Sequence, residues 1–169
     1  MKASSQERND MYKSLPALTI DADKSYKATI KTAKGDIVLE LYPKDAPQHV
    51  NALVFLAREG FFDNLTFHRY EPGFVIQGGD PLGTGTGGPG FNIPPEIKRT
   101  HPRGALAQAR RGGPANSTPS SGSQFYITLA ATSFLDGQYT SFGQVVAGME
   151  VADLIRAGDV IKTIEIEET

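Results

Sequence analysis

Between Gly78 and Arg103 the chain sets Pro81, Pro89, Pro94, Pro95 and Pro102 among closely spaced glycines, beginning with Gly78-Gly79 and ending with Gly90. Proline has no N–H to give and fixes its own φ, so neither a continuous helix nor an interior strand can run through this segment. The segment must be a long ordered loop or a flap, and loops of that length in compact domains are commonly functional. What flanks it has to be built from short elements. The whole chain continues the theme, with 18 glycines and 11 prolines in 169 residues, which favours many turns and short strands over long helices.

Upstream of the loop, Ala28-Ile30 and Ile37-Leu39-Leu41 alternate with polar residues around Lys34-Gly35, the pattern of a hairpin with one buried face. After Asp45-Ala46-Pro47, the residues Val50, Leu53, Val54 and Ala57 recur at helical spacing as far as Gly60, which predicts a helix over about 47–58. The runs 65–70 and 74–77, broken by Glu71-Pro72-Gly73, predict two paired strands. Further strands are expected over 105–108, 124–128, 142–146 and 161–166, and a second helix from Met149 to Arg156, stopped by Gly158. Residues 1–24 are polar and unpatterned and read as an N-terminal arm or linker with at most one docked turn, with order beginning near Tyr26 and residues 25–169 forming one domain. Many short strands with only two helices point to a mainly β barrel or sandwich.

Composition removes several classes of function. Seventeen basic and nineteen acidic side chains leave a formal charge of −2, so no overall field draws the chain to nucleic acid or to an anionic membrane. There is no cysteine, which removes disulfides, thiolate nucleophiles and cysteine metal sites together. The first twenty residues mix charged and polar groups without the apolar core of a secretory signal, so a cytoplasmic protein is expected. No apolar run approaches the ~20 residues that span a bilayer. Gly83, Gly85 and Gly88 spell a literal GxGxxG, but a dinucleotide site needs a helix directly behind it, and Pro89, Pro94 and Pro95 forbid one. His49, His68 and His101 are scattered, with no HExxH and no evident carboxylate partner, so no metal site is expected. The serine-rich run 117–123 lacks both a GxSxG elbow and a placed histidine. Glu71, Asp80, Glu96 and Asp136 lie near turns and read as solvated caps.

One constellation remains. In the strand around 74–77, Val75 and Gln77 share a face and Phe74 and Ile76 share the other; in the strand around 124–127, Gln124 and Tyr126 share a face opposite Phe125 and Ile127. Each strand therefore presents an amide beside an apolar group. With Arg69 just ahead of the first strand, the set describes a shallow apolar pocket rimmed by hydrogen-bond donors, and none of its members is a good nucleophile or base. Phe67 and Phe125 are assigned to the core.

Several stretches occur in an order that resembles a known family. They are 67–80 (FHRYEPGFVIQGGD), the Gly-Thr-Gly loop, 122–127 (GSQFYI), 134–137 (FLDG) and Phe142-Gly143, and the resemblance is to the cyclophilins, which are peptidyl-prolyl cis-trans isomerases. It extends over about residues 26–167. It implies an eight-stranded antiparallel β-barrel capped by two α-helices, with a packed interior, the active site on the outside, and the glycine loop as scaffold beside a substrate groove.

Carried over position by position, the resemblance makes Arg69 the catalytic arginine with Gln77 beside it, and places Phe74, Val75, Tyr126 and Leu135 around the proline ring. Gln124 matches a polar groove residue, and Ala109 and Arg110 match the segment whose backbone holds the substrate peptide. Phe134 stands where many members have tryptophan and Tyr139 where many have histidine, departures closer to bacterial members that leave only weak cyclosporin binding expected. The implied reaction is rotation about Xaa-Pro bonds in proline-containing peptides and in unfolded or folded protein clients, assisting protein folding. It uses no cofactor and no metal, and a monomer is expected. A rival from another class stays open at this stage: a proline-peptide binding module with the same groove and negligible turnover.

Overall fold

The computed structural model of the chain describes residues 3–169. In chain order it contains α1 (Ser5–Arg8), β1 (Tyr26–Thr32), β2 (Gly35–Leu41), α2 (Pro47–Arg58), β3 (Phe67–Glu71), β4 (Val75–Gly78), β5 (Asn92–Ile93), β6 (Ala105–Arg110), β7 (Ser120–Thr128), β8 (Ser141–Ala147), α3 (Met149–Ala152) and β9 (Ile161–Glu168). A 3-10 turn, Ser133–Leu135, lies between β7 and β8. Eight strands follow one antiparallel path, β3-β4-β7-β6-β8-β2-β1-β9, and the two-residue β5 pairs with β7 beside it. The path curls until its ends meet. There is no ladder between β3 and β9; a bridge from Thr66 to Val160 and the bonds Phe67 N–H to Asp159 O (2.9 Å) and Gly158 N–H to Phe67 O (2.8 Å) join them along a short seam.

The alternation in the first hairpin becomes burial: Ala28 and Ile30 on β1 and Ile37, Leu39 and Leu41 on β2 all face inward. The helix expected over 47–58 is α2, which turns Val50, Leu53 and Val54 onto the sheet interior. Phe67 and Phe125 meet edge to face at 6.1 Å inside the same core, as burial of large aromatics favours. A second, smaller apolar cluster lies apart from it: Val75, Ala107, Tyr126 and Leu135, with Phe74, Ala109 and Tyr139 against them.

Three expectations change. The second helix stops at Ala152 rather than Arg156: Leu154 and Ile155 donate to carbonyls three residues back, which tightens the turn and drives Ile155 into the core. Order begins well before Tyr26, because Arg8 is buried and donates to the carbonyls of Phe61 and Asp63, while the Tyr12 ring meets Phe55 edge-on at 5.2 Å. The carboxyl of Asp80 is no solvated cap. It is buried and accepts from the N–H groups of Leu82 (2.9 Å), Thr84 (2.9 Å) and Gly85, which winds the glycine loop around it. Gly79 allows that loop to leave β4: it sits at φ 90, and a Cβ there would strike the Ser123 carbonyl.

Candidate active site

Register brings the site together. Arg69 on β3 is opposite Gln77 on β4, Gln77 is opposite Tyr126 on β7, and Tyr126 is opposite Ala107 on β6. Residues directly opposite one another on neighbouring strands project to the same face, so these four form one row across the outside of the curled sheet. Val75, two residues before Gln77, belongs to that face as well.

Beside this row is a cavity of about 160 Å³. Of the eleven side chains named as site residues from the sequence, all but Gln124 and Phe134 line it. Phe74 does so from a place the alternation did not assign it. It precedes β4 in a turn, so strand periodicity does not apply to it, and its ring turns to the cavity rather than to the core with Ile76. Gln124 lines an adjoining groove of about 420 Å³ instead, together with residues of the glycine loop and the 110–122 segment. Phe134 rests with its ring centroid 5.6 Å from that of Phe74 and is 69% exposed.

The polar groups are tied into directed chains. Arg69 donates to Gln77 Oε1 at 3.3 Å, Gln77 donates to Gln124 Oε1 at 3.2 Å, and Gln124 donates to the Gly87 carbonyl at 2.8 Å. Arg69 also pairs with Glu71 at 3.5 Å and lies 5.9 Å from the centre of the Phe74 ring. Guanidinium carries five N–H donors, so these contacts leave capacity for a further acceptor. Arg110 is more occupied, stacked 4.6 Å over Tyr139 and donating to the carbonyls of Gln138, Arg111 and Gly113.

Behind the apolar wall the sequence reading missed a relay. Tyr126 Oη is 3.0 Å from His101 Nε2, and His101 Nδ1 is 3.1 Å from Asp136 Oδ1. Burial pushes the Tyr126 phenol far up, so it stays protonated, and burial outweighs Asp136 in keeping His101 below its usual value. His101 is therefore neutral at pH 7.

A second histidine is likewise partnered. His49 Nδ1 is 2.7 Å from Glu96 Oε1 and its Nε2 is 2.8 Å from Ser120 Oγ. Two of the three histidines thus do have carboxylate partners, and the serine-rich run does have a placed histidine. The pairs span 47, 71 and 35 residues of chain, beyond any local pattern. The Ser120–His49–Glu96 set copies the connectivity of a hydrolytic triad, but Ser120 is 3% exposed and His49 is 1% exposed, so neither can reach a substrate. Glu96 instead caps α2, accepting from the N–H groups of Gln48 and His49.

Nothing around the cavity forms a covalent intermediate readily. What it offers is an apolar recess with one well-placed cation at its rim, suited to holding a small ring and hydrogen-bonding an atom beside it.

Known proteins resemble this chain in sequence and in fold. The family model described as "Cyclophilin type peptidyl-prolyl cis-trans isomerase/CLD" matches residues 27–169. A peptidyl-prolyl cis-trans isomerase of Helicobacter pylori (strain ATCC 700392 / 26695) is 46% identical over 146 residues, covering 83% of this chain and 86% of its own. Peptidyl-prolyl cis-trans isomerase B of Bacillus subtilis (strain 168) is 47% identical over 134 residues, covering 78% of this chain and 90% of its own. The crystal structure of a cyclophilin-type isomerase from Cryptosporidium parvum superposes with a TM-score of 0.78 at 31% identity, over 86% of this chain and 99% of that one. The same Cryptosporidium parvum isomerase has also been crystallised in the presence of the dipeptide Ala-Pro, and that structure matches with a TM-score of 0.76 at 30% identity, over 85% of this chain and 99% of that one. With the family model spanning all of the sheet but its first residue, Tyr26, and relatives this close across most of the chain's length, the chain belongs to the cyclophilin-type peptidyl-prolyl cis-trans isomerases.

Proposed function

We propose that this chain accelerates rotation about Xaa-Pro bonds without a covalent step, with Arg69 as the transition-state donor. The observation that carries the reading is the placement of Arg69 on the rim of an apolar cavity, in one cross-strand row with Gln77 and Tyr126.

An amide resists rotation because the nitrogen lone pair is delocalised into the carbonyl, a barrier of ~18–20 kcal/mol. Uncatalysed exchange takes tens to hundreds of seconds, so turnover on the millisecond scale requires about 5–7 kcal/mol off that barrier. In the twisted transition state the prolyl nitrogen becomes pyramidal and regains its lone pair. A guanidinium N–H hydrogen-bonds that lone pair but finds nothing comparable on the planar ground state, so the bond favours the transition state selectively. One such charge-assisted donor contributes ~3–4 kcal/mol. The remainder comes from Phe74, Val75, Tyr126 and Leu135, which hold the ring and exclude water, and the twisted amide, having lost its charge separation, tolerates a dry site better than the planar one.

Gln77 keeps the guanidinium at the rim, and the backbone at Ala109 and Arg110 supports the peptide on either side of the proline. Substrates are proline-containing segments of unfolded or folded proteins, bound by a monomer, and protein folding is the process served. Phe134, exposed and tilted against the Phe74 ring beyond the cavity, together with Tyr139 in its wall, leaves cyclosporin a weak ligand.

The test is two-dimensional exchange NMR of a short Xaa-Pro peptide with wild type and Arg69→Ala side by side. Catalytic efficiency is expected to fall roughly 10²–10³-fold in a folded variant. An unchanged rate would remove the arginine from the mechanism. Peptide signals that shift without faster exchange, in wild type, would mean a proline-binding module instead.

A further inference from the structure

The arm that precedes the family match bonds to the glycine loop beside the active site. Asp10 N–H donates to the Gly88 carbonyl at 2.9 Å, Tyr12 N–H donates to the Pro89 carbonyl at 2.8 Å, and Asn9 Oδ1 accepts from Gly88 N–H at 3.1 Å. The contact is close as well as hydrogen-bonded: a Cβ on Gly90 would strike the Tyr12 carbonyl, so only glycine lets the two backbones approach. The strap is fastened at both ends. On one side Arg8 is buried against the Phe61 and Asp63 carbonyls. On the other, Asn51 of α2 donates to the Ala17 carbonyl at 3.0 Å and accepts from Thr19 N–H at 3.0 Å.

The residue next to Gly88 is Gly87, whose carbonyl accepts from Gln124. From there the chain of donors runs through Gln77 to Arg69. A flexible, glycine-rich backbone would let the Gly87 carbonyl wander, and Gln124 and Gln77 with it. The arm's bonds to Gly88 and Pro89 restrain that segment from one side, as the Asp80 carboxylate does from the other.

We propose that Asn9 is a positioning residue for catalysis: the arm clamps the glycine loop at Gly88 and Pro89, and through the Gly87 carbonyl, Gln124 and Gln77 it fixes the guanidinium of Arg69. This rests on the reading of Arg69 given above. It adds a part of this chain, outside residues 27–169, to the machinery of the reaction.

The test compares Asn9→Leu, which keeps the size of the side chain and removes its acceptor, with Asn9→Asp, which keeps an acceptor for Gly88 N–H. Exchange NMR over a range of peptide concentrations separates kcat from KM. Asn9→Leu is expected to lower kcat roughly three- to tenfold with KM within about twofold, and Asn9→Asp to restore most of the loss. In a Gln124→Leu background, which cuts the chain downstream, Asn9→Leu should lower kcat no further. A wild-type kcat in Asn9→Leu, or an equal additional loss in the Gln124→Leu background, overturns the proposal. The side-chain amide resonances of Gln77 and Gln124 give a readout that does not depend on turnover. They should shift or broaden in Asn9→Leu and recover in Asn9→Asp, and amides that stay put would refute the clamp. Arg69→Ala in the same series separates the two failures. If it is as fast as wild type while the amides respond to Asn9, the mechanism is wrong and the clamp stands; if it is slow and Asn9→Leu is silent, the reverse holds.

Discussion

Removing the Glu96 carboxylate should be among the most damaging single changes outside the site. α2 begins without a side-chain cap of its own: Ala46 has none to give, and its first turn contains no acidic residue. Glu96, 47 residues away from His49 in sequence, supplies the missing acceptors, with Oε2 taking Gln48 N–H at 3.1 Å and Oε1 taking His49 N–H at 2.9 Å and His49 Nδ1 at 2.7 Å. Loss of an N-terminal cap costs about 1–2 kcal/mol. Stranding a buried imidazole N–H adds about 1–3 kcal/mol. Because Glu96 is itself mostly buried, water reaches the vacated place poorly, and the sum for Glu96→Ala is about 2–5 kcal/mol. In a domain of this size that lowers Tm by roughly 4–20 °C, measurable by calorimetry at pH 7. Acid titration adds a sign. Burial raises the Glu96 carboxyl, but His49 and the two backbone N–H groups outweigh it and hold it below its ordinary value. Its contribution is therefore complete above the unfolded carboxylate pKa and is lost as pH falls through the lower folded one, so wild type should approach the variant in stability as pH drops below about 4. A Tm within 2 °C of wild type at pH 7 would refute the tertiary cap.

Two further outcomes follow from groups already placed. Asp80→Ala removes the acceptor for three N–H groups of the glycine loop and should cost about 2–4 kcal/mol in urea unfolding at pH 7. Burial opposes ionisation of Asp80 but those backbone donors prevail and lower its pKa, so the difference from wild type should shrink as pH falls below about 4, and a pH-independent difference would count against it. Tyr126→Phe keeps the apolar wall but leaves the buried His101 Nε2 without its partner, a loss of about 1–3 kcal/mol by urea unfolding; no loss at all would mean the hydroxyl is not what satisfies that nitrogen.

Local periodicity was a good guide wherever one face of a regular element is buried. The β1–β2 hairpin and α2 follow directly from alternation and from the 3.6-residue repeat, and Tyr126 and Gln124 on β7 were placed opposite Phe125 by the same rule. Phe74 defeats that rule because it lies in the turn ahead of β4, where no alternation operates. α3 is cut short by a tertiary demand, the inward turn at Ile155, which no helical pattern announces. Partners far apart in sequence were invisible for a different reason: Glu96 with His49, Asp136 with His101, and Asn9 with Gly88 are chosen by the packing of whole elements. The polar composition of residues 3–24 likewise hid an arm held less by apolar patterning than by backbone hydrogen bonds, Arg8 and Asn51.

The seam and the strand order bear on how such a chain folds. β1 pairs along its length with β9, from Tyr26 opposite Glu168 to Thr32 opposite Ile161. The first hairpin can zip early from local contacts, yet one of its edges has no mate until the last strand is available. During synthesis that edge waits through more than a hundred residues of later chain, with unpaired N–H and C=O groups and an apolar face on offer to any other strand nearby. Sheet closure is consequently a late and topologically slow event. In this fold the interval before β9 arrives is when the risk of edge-to-edge aggregation is greatest, and a chaperone or a slowly translating ribosome would matter most there.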